Sequence, residues 1–536
     1  MKIINQKFNS TIVTRKDWQL FHPISSISAA DVYYVNLCNK VLKIIKQSKI
    51  IYLLENKEEV KTLACVLVAY FEDVISETHL FSTFTKKHNE MYSMRLPFYE
   101  ITEEYYDDEI NRPDIAFLIW YYVALRDEEY VTDPFFEENQ SVDAAISAIY
   151  DLFDREFENA PINENLKEFL QLPTNPDVAT VREKLEFIAL KSYLFQDVFS
   201  RFFDNVLEKN ELKNTLVKSE RDKHLLYDCR VHFIFNEFMP LLAMRANEYY
   251  AEVLGSQHCE YQFIKNISER KTACFILRKI EENGYHLEHI PSKTKIFVSD
   301  EFFDFGDNKL IENQTVLNTG IVKWKDDVWQ TMGICMLYTI DDFEGEKIGS
   351  NVFDDENKKQ EIIKNQQVTF YKLTQNKQII FKKGVDEYAD FNQKLIRMQS
   401  RANRQDLNEK DFNELFEKTF RNITESPFDD ECFTIFYNPK SGIELYSPHL
   451  TVCINSADNP FYDGSVLDVE RLAIDPTIST EFICFLLENE LIELGIDESY
   501  NEKYMFTVIM ENLDFLMRFY KKSEYFAKLE VSIVYT

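Results

Sequence analysis

The sequence predicts a multidomain α+β protein: a large N-terminal all-α bundle, a small central β-rich domain of barrel or SH3-like character, and a C-terminal α+β domain. Three observations carry that expectation. Apolar residues recur at helical spacing almost throughout residues 29–255. Short β-favouring runs, broken by Gly, Pro, Asn and Asp, follow between residues 273 and 337. Past residue 366 the two textures mix. The boundaries drawn from these shifts are 1–258 for the helical domain, 259–345 for the β-rich domain, 346–365 for a charged linker and 366–536 for the C-terminal domain.

The first helix is expected over residues 28–45, where Val32, Val35, Leu42 and Ile45 recur at helical spacing and Ser28 is a good cap. Helices follow at 58–76, 79–94 and 113–125, the last opened by Pro113, which suits a first helical turn. An acidic loop, 97–112, separates the last two. Residues 141–158 place Val142, Ile146, Ile149, Phe153 and Phe157 on one face, and one long helix is expected over 178–208, where Leu190, Leu194, Val198 and Phe202 recur every four residues. A helix over 220–239 ends or kinks at Pro240, and a short one over 243–254 closes the domain.

The β-favouring runs are 273–277, 285–290, 295–298, 320–324 and 328–337, and GIVKWKDDVWQTMG reads as a hairpin turning at Asp326 and Asp327. Residues 341–365 are charged and poor in apolar side chains, which predicts a solvated linker. A second hairpin is expected from VTFYKLTQNKQIIFKKG. Helices over 385–400 and 409–423, strands at 432–437, 443–446 and 451–454, helices near 480–490 and 502–519, and a strand-like tail LEVSIVY complete the chain.

Composition bounds the function. With 536 residues, 45% of them hydrophobic, the chain can build large cores, and its 29 Tyr and 44 Phe make those cores aromatic. Its 60 basic against 91 acidic residues give a formal net charge of -31, which argues against direct binding to phosphate backbones and suits either solubility or attraction to basic partners. Nine cysteines without a CxxC pair suit a reducing cytoplasm. The N-terminus lacks the apolar core of a signal peptide, and runs such as 115–125 fall short of the ~18 apolar residues of a membrane span, so no membrane domain is expected.

Four places could hold chemistry. In HLLYDCRVHFIFN, His224, Asp228, His232 and Asn236 recur every four residues as one helical stripe. Two imidazoles flanking a carboxylate can ligate a metal, given a further ligand from another helix, or supply a general base; the alternative is a solvated or internally bonded polar stripe. In YFEDVISETH, Glu72 and Asp73 sit one turn before Ser76 and Glu77, with His79 close behind. No ExxH motif accompanies them, which weakens a di-metal reading and favours buried hydrogen bonds or helix capping. The acidic loop at 100–112, with Tyr105 and Tyr106, and the similar stretch RDEEYVTDPFFEEN could bind a cation or a basic peptide, or be a solvated face. Trp324 and Trp329 are candidates for core packing or a stacking platform, with core packing favoured. Cys229, beside His232, sits mid-helix, where a thiol is usually inert. P-loop, dinucleotide, zincin, nucleophile-elbow and kinase motifs are absent, and 11 glycines leave little material for phosphate-cradling loops.

Segments spread along the chain, including KDWQLFHP, AYFEDVIS, FLIWYY, YDCRVHFIFNEFMPLLA, VKWKDDVWQTMG, NPFYD and ENLDFLMRF, resemble in their order a Bacteroidetes protein family of unknown function, domain of unknown function 3843. The resemblance runs nearly the full length and implies the architecture. It implies no catalytic residues. The expectation is therefore an acidic cytoplasmic protein, a non-catalytic macromolecular-interaction or assembly factor with a protein partner of basic character. Two alternatives are a metal-assisted hydrolase using His224, Asp228 and His232, and an acidic nucleic-acid mimic occupying a basic groove. The binding candidates are His224, Asp228, His232, Glu72, Asp73, Trp324 and Trp329, with no catalytic residue, metal or cofactor assigned.

Overall fold

The chain divides into two units, Met1–Phe353 and Asp354–Thr536. The computed structural model describes residues 11–23, 28–99, 105–126, 140–210, 219–301, 310–343, 356–402, 432–496, 502–522 and 534–535. Among the described residues, no helix is long and apolar enough to cross a membrane. The structure is a mixed α+β arrangement: N-terminal helices, a central five-stranded barrel and a C-terminal α/β region.

The first unit opens with α1 (Arg15–Gln19), α2 (Ala29–Gln47), α3 (Lys57–Ser76), α4 (Leu80–Tyr92) and α5 (Arg112–Ala124). It continues with α6 (Gln140–Phe157), α7 (Glu164–Leu170), α8 (Val178–Leu190), α9 (Gln196–Lys209) and α10 (Glu220–Asn236). Polar side chains set the starts: Ser28 and Asp31 form a reciprocal capping box on α2, as do Ser219 and Asp222 on α10, and Asn56 caps α3. At the centre lie α3 and α5, buried on every side from Leu63 to Asp73 and from Asp114 to Ala124. Aromatic rings knit them to their neighbours, Phe71 stacking on Phe153 at 4.8 Å and Phe84 on Phe117 at 5.1 Å.

The single helix expected over 178–208 is two helices, broken at 191–195. Tertiary hydrogen bonds override the apolar repeat there: the Tyr121 hydroxyl donates to the Leu194 carbonyl, and Tyr193 donates to Asp73 at 2.8 Å. The helix expected to reach 239 stops at Asn236. Beyond it β1 (Phe238–Met239) pairs with β2 (Met244–Arg245) around Pro240, before α11 (Ala246–Leu254) and α12 (Tyr261–Lys265).

In the same unit β3 (Lys271–Glu281), β4 (Gly284–His289), β5 (Lys295–Ser299), β6 (Thr315–Lys325) and β7 (Val328–Thr339) close a barrel in the order β3-β4-β5-β7-β6. Only β5 and β7 pair in parallel; the other ladders are antiparallel. The third and fifth strands of five thus lie parallel in a 1-2-3-5-4 order, which is that of an OB-type Greek-key barrel. Alternating residues, among them Phe275, Leu287, Val298, Leu317 and Ile321, fill the interior. The expected hairpin is present, with Lys325 opposite Val328 and Asp326 in the left-handed conformation its turn requires.

The second unit contains α13 (Glu356–Leu373), β8 (Ile379–Lys383), α14 (Gly384–Ala402), β9 (Cys432–Asn438) and β10 (Gly442–Tyr446). After these come α15 (Pro448–Thr451), β11 (Leu467–Asp468), α16 (Val469–Ile474), α17 (Thr480–Glu488), β12 (Leu494–Gly495), α18 (Glu502–Glu511), α19 (Leu513–Tyr520) and β13 (Val534–Tyr535). The sheet order is β13-β10-β9-β8, and Ile435, Tyr437, Ile443 and Leu445 pack on Ile363, Phe370, Tyr388 and Phe391.

Three expectations fail in this unit. The segment VTFYKLTQNKQIIFKKG is not a hairpin, because its first half belongs to α13 and only Ile379–Lys383 is a strand. Thr, Tyr and Phe gave it a β texture, yet the buried pair Ile363 and Phe370 is spaced by two helical turns. Residues 356–365 of the segment read as linker lie in the same helix. Residues 451–454 are not a strand either. Pro448 opens a helical turn ending at Thr451, and only Ile454 makes an isolated bridge, to Ile492. The helix expected over 409–423 lies outside the described residues.

Candidate binding cleft at the α3–α4 corner

The turn between α3 and α4, Glu77-Thr78-His79, carries two non-glycine residues in the left-handed region, Glu77 at φ 51° and His79 at φ 61°. Such backbone persists only where its surroundings over-determine it. Here the determinant is Asp73, 3% exposed. Its carboxylate accepts from the Thr78 hydroxyl at 2.5 Å, the Leu80 amide at 3.0 Å, the Phe81 amide at 2.8 Å and the Tyr193 hydroxyl at 2.8 Å. It thereby caps α4, whose own N-cap residue His79 offers no side-chain bond. The turn holds Glu77 and His79 exposed, and both line two clefts, of about 440 Å³ and about 450 Å³.

The first cleft is acidic. Asp73, Glu77, Asp107, Asp108, Glu109, Asp114 and Glu158 line it together with Tyr70 and Tyr105, and among the described residues no Lys or Arg lines it. Two of these acids are partly neutralised from outside, Asp107 by Arg95 and Glu77 by Lys167 at 2.6 Å. Asp108, Glu109 and Glu158 are exposed.

At its floor Asp114, 2% exposed, accepts from the Tyr70 hydroxyl at 2.7 Å, the Tyr105 hydroxyl at 2.9 Å and the Asn111 amide at 3.2 Å. Burial pushes its carboxyl up to about 7, against the opposing pull of those donors. Burial and the neighbouring carboxylate likewise raise the Tyr70 and Tyr105 phenols. The cleft therefore contains a carboxyl that exchanges its proton near neutrality, behind two tyrosines that stay protonated.

Beside Asp73, Glu72 is 1% exposed and serves a separate network. It meets His22 Nε2 at 2.7 Å and accepts from Asn163 Nδ2 at 2.9 Å, while the Asn163 amide donates to Ser76 Oγ at 2.9 Å. Among the described residues, His22, Asp31 and Glu72 form a group that could hold a metal ion, one ligand atom from each lying within 4.8 Å of the others.

The members of the stripe on α10 divide among separate surroundings. His224 is exposed, Asp228 is ion-paired to Arg270, and His232 faces Glu237 at 3.7 Å. Asn236 exchanges two 3.0 Å bonds with the Arg270 backbone, so the stripe's lower half fastens α10 to the barrel. Burial pushes the Cys229 thiol up, away from nucleophilic character. Trp324 is buried edge-on to Phe263 at 5.8 Å, and Trp329 packs against the barrel interior.

Sequence reasoning singled out Glu72 and Asp73 but passed over Asp114, His22 and Asp31. A signal existed for two of them: Asp114 is an acid inside the apolar run that follows Pro113, and Asp31 stands three residues after the capping Ser28. Residues 100–104 and 127–139 of the two acidic stretches lie outside the described residues. No curated protein and no solved structure matches this chain. A family model described as "Protein of unknown function (DUF3843)" matches residues 13–286, just over half of the chain, covering the helices, the cleft and the start of the barrel.

Proposed function

The chain belongs to the DUF3843 family of proteins of unknown function, and from that premise we propose that it is a non-catalytic binding protein whose cleft at the α3–α4 corner takes a positively charged segment of a partner protein. One observation carries the reading: among the described residues, seven acidic side chains line a cleft of about 440 Å³ whose lining includes no lysine or arginine. A lysine or arginine side chain entering there exchanges hydration for the exposed carboxylates of Asp108, Glu109 and Glu158. The rigid corner set by Asp73 supports the same conclusion, since a fixed receptor loses little entropy on binding. The net charge of -31 adds long-range attraction for a basic partner and repulsion for nucleic acid. We extend the family resemblance past residue 286 as well, on the barrel and C-terminal motifs VKWKDDVWQTMG, NPFYD and ENLDFLMRF. A cytoplasmic location is part of the proposal.

The test is titration of the full chain with a fluorescent Lys/Arg-rich peptide at low and high salt, beside a variant carrying Asp108→Lys and Glu109→Lys. Both positions are exposed, so the fold tolerates them. Salt-sensitive binding by the wild type and its loss in the variant is the expected outcome; equal binding by both chains rejects the cleft. An oligonucleotide that competes with the chain for the same peptide would turn the reading towards nucleic-acid mimicry.

A further inference from the structure

We propose that His22, Asp31 and Glu72 form a buried site for one divalent transition-metal ion of the zinc class, which pins the segment after α1 to α2 and α3. This site is separate from the acidic cleft, and neither reading depends on the other.

The first argument is convergence. His22 follows α1, Asp31 is in the first turn of α2, and Glu72 is late in α3, yet one donor atom of each lies within 4.8 Å of the others. They are 5%, 9% and 1% exposed. A zinc tetrahedron with bonds of ~2.1 Å places its donors ~3.4 Å apart. The His22–Glu72 contact of 2.7 Å is a hydrogen-bond distance that must open by ~0.7 Å to admit the ion, while the other separations, within 4.8 Å, need only close slightly.

The second is the tautomer of His22. Its Nδ1 lies 3.1 Å from the Trp18 carbonyl, which can only accept, so Nδ1 carries the proton. Nε2 then turns its lone pair towards a Glu72 oxygen 2.7 Å away. Two lone pairs at that distance share a proton, and a metal ion entering the site would replace it.

Charge balance favours that replacement. With a second proton on His22 the triad holds one imidazolium and two carboxylates, a net charge of -1. Among the described residues, no lysine or arginine pairs with Asp31 or Glu72. The Ser28 amide and hydroxyl, the Trp18 indole and the α2 N-terminus offset part of that charge, and a divalent ion offsets the rest. A divalent ion with neutral His22 brings the group to zero.

The surrounding donors are those of an outer metal shell: the Trp18 carbonyl orients His22, the Trp18 indole at 3.2 Å and the Ser28 hydroxyl at 2.8 Å hold Asp31, and Asn163 holds Glu72. One imidazole with two carboxylates suits zinc and its neighbours rather than calcium or magnesium, with water in a remaining position.

The experiment uses the full chain, stripped with a chelator, dialysed and titrated calorimetrically with Zn²⁺; Co²⁺ then serves as a spectroscopic probe. The proposal expects one tightly bound zinc, a thermal midpoint that zinc raises and chelator lowers, and a tetrahedral cobalt spectrum without a thiolate-to-metal band. Glu72→Gln should weaken zinc binding by about tenfold or more, whereas His224→Ala, on exposed α10 surface, should leave it unchanged. Absence of tight zinc binding by the wild type overturns the proposal, as does a thiolate band, which would place the ion on cysteine, or full retention by Glu72→Gln. Should that variant fail to fold, the wild-type stoichiometry and cobalt spectrum decide.

Discussion

Arg270 is the residue whose removal should most clearly separate packing from charge in the first unit. Its side chain is 2% exposed and pairs with Asp228, whose side chain is 36% exposed. Its Nε donates to the Met332 carbonyl at 2.7 Å. The guanidinium crosses the barrel wall over two glycines: a Cβ on Gly320 would overlap Arg270 directly, and one on Gly333, at φ 102°, would come within 2.7 Å of Nη2. Breaking a buried ion pair from one side costs ~3–5 kcal/mol. Arg270→Ala leaves a carboxylate that water can reach, so its cost should fall near ~3 kcal/mol; Asp228→Ala strands a buried guanidinium and should approach ~5 kcal/mol. Gly320→Ala should cost ~1–3 kcal/mol by overpacking, but little once Arg270 is alanine, because the space is then free. The double variant should therefore be more stable than the two single losses add to. Trp18, Trp120, Trp324 and Trp329, the chain's 4 tryptophans, all lie in the first unit, so their fluorescence in a urea titration follows that unit alone. Strict additivity of Arg270→Ala and Gly320→Ala, or a negligible cost for Asp228→Ala, would refute the reasoning.

Two further outcomes follow from the buried carboxylates. Asp114 holds its proton more tightly when folded than an ordinary aspartate, so its contribution favours the fold at low pH and is lost as pH rises towards about 7. That rise corresponds to ~4 kcal/mol, and the stability of Asp114→Asn relative to wild type should improve by that order across the window; parallel pH profiles would contradict it. Asp73→Ala strands two hydroxyls and two amides at the α4 start and should cost ~3 kcal/mol or more, with Asp73→Asn falling between because it keeps one acceptor oxygen. Urea midpoints that put Asn below Ala would speak against the capping role.

Local pattern made most of the fold legible. Ser28 and Pro113 marked helix starts within a residue, and Asp326 and Asp327 marked the turn of the barrel hairpin, because caps and turns are decided by neighbours in sequence. The strand runs pointed to a barrel, but its strand order and the parallel β5–β7 pair were not legible, being pairings between strands remote in sequence. The same limit hid both polar centres. Glu72 and Asp73 stood out as acids in an apolar helix, but His22 lies 50 residues from Glu72 and Tyr193 lies 120 from Asp73. The even spacing of His224, Asp228 and His232 marks a shared helix face but says nothing of what packs against it; Arg270, 42 residues beyond Asp228, does. Only the packed chain shows that α3 carries a capping carboxylate and a histidine-paired one side by side.

The most direct test of the binding proposal is photo-crosslinking of a Lys/Arg-rich peptide to the full chain, with adducts mapped by mass spectrometry. The account predicts adducts on the α3–α4 corner around Glu77 and His79 and on residues 105–109, competed by unlabelled peptide and by salt. Reproducible adducts confined to other surfaces, with that cleft unmarked, would contradict it.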